Sequence, residues 1–91
     1  MGLGTAEIER IDALLAALGD GASAALVDAG LRRLLPGVTC RRCDAADVLE
    51  APFRSGPAAD LYLLDVSGHC IRVIGDPAQA GGILVAERIG A

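Results

Sequence analysis

The apolar residues change their repeat once along this chain, near Pro36-Gly37, and that switch limits the fold more than any other feature. Before it, Ile8, Ile11, Leu15 and Leu18 recur at helical spacing with Leu14 beside them, while Arg10 and Asp12 fall on the other side. Apolar residues three and four apart form one face of a helix. Thr5 stands where an N-cap belongs. Glu7 and Glu9 follow in the first turn, where acidic groups suit the helix dipole. Gly19 supplies a stop. Asp20 can cap a second helix, expected over about 22–35, with Leu26, Gly30, Leu31 and Leu34 on its stripe. Arg32 and Arg33 occupy the last turn, where positive charge is favoured, and Pro36-Gly37 ends it. The junction Gly19-Asp20-Gly21 is short, which predicts a helical hairpin.

Beyond Pro36-Gly37 the runs are short. Residues 38–43 read as a strand, and Asp44 to Asp47 as a capped turn or one helical turn. Residues 51–59 hold Pro52, Ser55, Gly56 and Pro57 and read as a loop. Residues 61–66 and 69–74 are rich in strand formers and flank Ser67-Gly68, a β-hairpin signal. Gly75-Asp76-Pro77 breaks the run, residues 78–80 can form a short helical turn, and 83–89 make a last strand. Helices that precede strands, rather than alternating with them, imply segregated α+β architecture. The expected fold is an N-terminal helical hairpin packed on one face of a small, mainly antiparallel four-stranded sheet, in a single domain over residues 1–91.

Size and charge narrow the function classes. A chain of 91 residues buries roughly 60–65% of its unfolded surface, enough for one modest core. All eight basic residues are arginine, and net charge is −4. With only Phe53 and Tyr62 as aromatics, the chain lacks the footprint of a nucleic-acid binder, and its acidity argues against an anionic membrane surface. No apolar run reaches the roughly 18–20 residues of a membrane span. Residues 1–10 lack a basic region followed by an apolar one, so no secretory signal is expected. Cys40, Cys43 and Cys70 are then expected as free thiols in a cytoplasm.

Several constellations could carry chemistry. Cys40-Arg41-Arg42-Cys43 with His69-Cys70 has the donor types of a tetrahedral zinc site. However, residues one or three apart on a strand point to opposite faces, which separates Cys40 from Cys43 and His69 from Cys70. A thiol-redox pair at Cys40 and Cys43 lacks the helix N-terminus that lowers a thiol pKa, although the arginines between them are acidifying. The simpler reading is that these cysteines behave as small apolar residues. His69 could pair with Asp65 across the turn, with Ser67 nearby, but no complete nucleophile–base set is present. Gly75-Asp76-Pro77 and Gly81-Gly82 lack the Lys-Ser/Thr of a phosphate loop. Arg32, Arg33, Arg41 and Arg42 bracket the helix-to-strand junction and could bind an acidic partner or a carboxylate ligand. Asp44, Asp47 and Glu50 follow and can neutralise them.

One pattern resembles a known group. Cys43 to Asp47, Pro52-Phe53, Leu61 to Asp65 with Gly68-His69-Cys70, Asp76-Pro77 and Gly81-Gly82 resemble a family of small uncharacterised bacterial proteins, some of them associated with nitrogen-fixation genes. The resemblance spans about half the chain and implies an accessory role; it assigns no functional residue. The expected function is that of a small non-enzymatic accessory or protein-interaction domain without a cofactor. Its partner is another protein or a second copy, through a free sheet edge. The alternative is a zinc or thiol-redox site built from Cys40, Cys43, His69 and Cys70.

Overall fold

The computed structural model describes residues 2–19, 21–56 and 58–88. Two helices, α1 (Thr5–Leu18) and α2 (Ala24–Leu34), precede five strands: β1 (Thr39–Asp44), β2 (Arg54–Ser55), β3 (Ala59–Asp65), β4 (Arg72–Ile74) and β5 (Gly82–Glu87). The α+β class and the helix–strand switch agree with the sequence. The start of α1 differs by one position. Gly4 is the N-cap and Thr5 the first helical residue. Glu7 reaches back, its Oε1 accepting the Gly4 N–H at 2.7 Å, which satisfies an otherwise open donor. At α2 the Ser23 hydroxyl accepts the Leu26 N–H at 3.2 Å; the cap expected at Asp20 lies outside the described residues.

The buried stripe of α2 also differs. Ala24, Val27, Asp28 and Leu31 face inward, followed by Leu35, whereas Leu26 and Leu34 are exposed. The helix is turned away from the stripe that the apolar spacing predicts. Asp28 explains the difference: it sits on the inner side because Arg32 Nε holds both its oxygens at 3.1 Å. A paired carboxylate is tolerated where a lone one would be costly.

The sheet is mixed and has five strands rather than four. Its order is β1-β5-β3-β2, with β4 also pairing β3. β5 runs antiparallel to β3, with Leu61 opposite Val85 and Leu63 opposite Ile83. β1 lies parallel to β5, with Cys40 opposite Ile83 and Cys43 opposite Ala86. The strand that the sequence does not announce is β2, two residues within the expected 51–59 loop. It pairs antiparallel with Leu61 and Asp60, so β2 and β4 share the far side of β3. The β3–β4 hairpin is present, but its connection spans six residues, 66–71, instead of two.

Ile11, Leu31, Leu61, Leu63, Ile83 and Val85 are the largest fully buried side chains, and they form one cluster between helices and sheet. Ile8, Leu14, Leu15 and Leu18 pack partly buried around it, so the α1 stripe is as the spacing predicts. In β3, every residue from Ala59 to Leu64 is buried. A strand buried on both faces reads as a continuous apolar run, and the sequence Leu61-Tyr62-Leu63-Leu64 is such a run. The helices therefore cover one face, and the opposite face is partly covered by the segments after β1 and β3. No helix among the described residues is long and apolar enough to cross a membrane.

Candidate functional site

The four candidate metal ligands do not converge. Cys40 lies opposite Ile83 on the helix-covered face and is buried. Cys43, three residues along β1, lies opposite Ala86 on the other face and is half-buried. His69 and Cys70 are exposed in the β3–β4 connection. Among the described residues, no three His, Cys, Asp or Glu side chains are grouped so as to hold a metal ion. Strand alternation is the physical reason for the first separation.

The two β1 thiols sit where their pKa values are raised. Burial pushes the Cys40 thiol up, only partly opposed by the charge of Arg32. Burial likewise raises Cys43, helped by the carboxylates of Asp47 and Asp44. A raised thiol carries little reactive thiolate at neutral pH. The expected order of alkylation is Cys70 first, Cys43 second, and Cys40 only upon unfolding. Mass spectrometry resolved by peptide measures this order, and Cys40 reacting as fast as Cys70 in native protein would refute its placement in the core.

Asp65 does not pair with His69 in the structure. Its Oδ1 accepts the Ser67 hydroxyl at 2.6 Å and the Ser67 N–H at 3.0 Å. Its Oδ2 accepts from Arg72 Nη2 at 3.0 Å. These donors, Ser67 first, lower its pKa to about 2. Asp65 is thus a turn organiser that ties the β3 end to β4. The Gly-Asp-Pro segment is likewise structural. Asp76 Oδ1 accepts the Ala78 N–H at 3.0 Å and caps the short helical turn Pro77–Gln79. Gly82 lies close under the Thr39 carbonyl and Val66.

The arginines separate into different roles. Arg32 is engaged: besides Asp28, its Nη2 donates to the Cys40 carbonyl at 2.8 Å. Arg42 meets Glu87 at 3.4 Å across two exposed side chains, a pair worth well under about 1 kcal/mol. Arg33 and Arg41 are exposed, and neither forms an ion pair with another described residue. Arg41 lies opposite Leu84 and Arg42 opposite Val85, so the two side chains leave opposite faces of the strand.

β1 is the edge of the sheet. The Thr39 N–H donates to the Gly81 carbonyl at 3.2 Å, so Thr39, Arg41 and Cys43 direct their backbone groups toward β5. Cys40, Arg42 and Asp44 direct theirs outward, as a parallel ladder requires. Arg32 closes the Cys40 carbonyl. The outward N–H and C=O of Arg42 have no partner among the described residues. An edge of this kind is a template for another strand, and charged side chains on it select what can pair.

Two features escape a reading of the sequence. One is a polar tie between strands: Arg88 Nη2 donates to Asp60 and to the Ser55 hydroxyl, each at 2.8 Å, and Ser55 donates to Asp60 at 2.8 Å. The other is an open groove of about 570 Å³ on the helix-free face, lined by Cys43, Asp47, Val48, Glu50, Ile71, Arg72, Val73 and Leu84. The continuous apolar run of β3 is the available signal, since it calls for cover on both faces.

No curated protein and no solved structure matches this chain. The model of a family of unknown function, DUF6129, matches residues 13–88. That span takes in the end of α1, all of α2 and every strand of the sheet. With most of its length so matched, the chain belongs to the DUF6129 family.

Proposed function

We propose that this chain is a small non-enzymatic accessory domain that acts by binding another protein, and that an extended partner segment adds to the open edge of β1. The observation that carries this reading is the outward backbone row of β1, with the N–H and C=O of Arg42 unpartnered among the described residues and the Arg41 and Arg42 side chains exposed on either side of it. Backbone hydrogen bonds supply affinity in strand addition, and side chains supply selectivity. Acidic residues beside Arg41 and Arg42 are favoured. Two copies paired antiparallel through β1 would set arginine against arginine, and like charges directly opposite are unfavourable. A bacterial setting beside nitrogen-fixation functions follows from the sequence resemblance, and a cytoplasm from the reading of the cysteines as free thiols.

The probe is a synthetic peptide alternating glutamate and valine, titrated into ¹⁵N-labelled protein. Amide shifts should concentrate on Cys40, Arg42 and Asp44. Charge reversal at both positions, Arg41→Glu with Arg42→Glu, should weaken binding about tenfold, the effect of two exposed ion pairs reversed. Absence of shifts along β1, or shifts confined to other elements, would defeat the proposal.

A further inference from the structure

We infer that the helix-free face of the sheet is a self-association surface, on which a second copy of this chain docks with its Leu49 against Ile71 of the first and its Ile71 against Leu49 of the first. The groove has two banks. Asp47, Val48 and Glu50 form one, from the segment after β1; Ile71, Arg72 and Val73 form the other, from the start of β4. Leu84 of β5 and Cys43 of β1 complete the lining. Leu49 stands between two lining residues and is itself 94% exposed, and Ile71 is 46% exposed. Side chains of this size exposed beside an apolar trough are the marks of an interaction surface rather than scattered surface apolarity.

Charge selects a second copy as the occupant. One bank carries Asp47 and Glu50, and the other carries Arg72. A closed dimer uses the same patch on both copies. With the twofold axis running along the groove, the acidic bank of each copy meets the Arg72 bank of the other. Arg72 can serve both sides, since its contact with Asp65 uses one Nη2 donor of the five N–H groups of a guanidinium. The same operation sets each Leu49 against the Ile71 bank of its partner. A small molecule fits less well: the trough is open, and its charges lie on opposite banks instead of converging on one point, as a ligand site requires. Arg42 leaves β1 on the helix-covered face, away from this surface, so a change at Arg42 separates the two interactions.

Sedimentation velocity on the full chain, over a concentration series, tests the inference. The expected result is a reversible shift from 9.2 kDa to twice that mass. Leu49→Asp should abolish the shift while leaving the denaturation midpoint unchanged, because Leu49 makes almost no contact within its own chain. Arg72→Glu should weaken association about tenfold or more, and adding Asp47→Arg to it should recover most of the loss. The β1 edge variant Arg42→Glu should leave the dimer intact. A chain still monomeric near about 1 mM would overturn the inference. So would a dimer that survives both Leu49→Asp and Arg72→Glu, or one lost through the β1 edge variant.

Discussion

Replacing Leu31 by alanine should lower the stability of this domain by about 2–5 kcal/mol. Leu31 is 0% exposed and belongs to the cluster shared by the helices and the sheet. Removing its branched end takes away the transfer free energy of the lost atoms and leaves a cavity, because α2 is held from several sides. Its Arg32 binds both Asp28 and the β1 carbonyl of Cys40, so the helix has little freedom to collapse inward. A domain of 91 residues has a total stability of about 5–14 kcal/mol, so the loss is a large fraction. The urea midpoint should fall with the slope unchanged. Leu34→Ala is the control: Leu34 is 42% exposed, and the change should cost less than about 1 kcal/mol. Equal losses at the two positions would mean that α2 is rotated toward the stripe Leu26, Gly30, Leu31 and Leu34.

Gly82→Ala should cost about 1–3 kcal/mol, the scale of overpacking in a close-packed interior. A Cβ at residue 82 would stand 2.9 Å from the Thr39 carbonyl oxygen and 3.2 Å from Val66 Cγ1. The first neighbour is backbone, fixed where β1 begins its parallel ladder with β5, and cannot rotate aside. The strands must separate at that end, or Val66 must leave its place. Hydrogen exchange at the Arg41 amide, which points toward β5, should accelerate with the loss of stability. Gly75→Ala serves as the comparison, since its Cβ would meet nothing within 4 Å. A destabilisation at Gly75 matching that at Gly82 would show that the effect arises from glycine replacement in general. The same result bears on chemistry: Gly82 is placed by close packing, and no phosphate contact is needed to account for it.

The candidate site is only partly legible in the sequence. Strand parity along β1 is a local property, and it separates Cys40 from Cys43 correctly. The arginines are visible as a group, but their division is not. Arg32 is absorbed by Asp28 and a strand carbonyl, while Arg41 and Arg42 flank an edge. That distinction depends on where β1 lies in the sheet, and nothing near residue 41 states it. The groove is hidden for a related reason. Its lining comes from β1, the segment after it, β4 and β5, and no local pattern marks residues that distant as neighbours.

What the sequence by itself determined is the kind of every element except β2, with approximate limits. Helical spacing in α1, the breaks at Gly19 and Pro36-Gly37, the turn at Gly75-Asp76-Pro77 and the apolar run of β3 are local, because they follow from the backbone repeat and from single-residue conformational limits. The tertiary structure alone decided that β1 runs parallel beside β5 at the edge, that two residues of an apparent loop join the sheet, and that α2 turns Asp28 rather than Leu34 inward. Each of these depends on a partner elsewhere in the chain: Ile83 for Cys40, Leu61 for Arg54, and for Asp28 an arginine fastened to a strand. Periodicity says which side of an element is apolar; only the assembled layers say what that side meets.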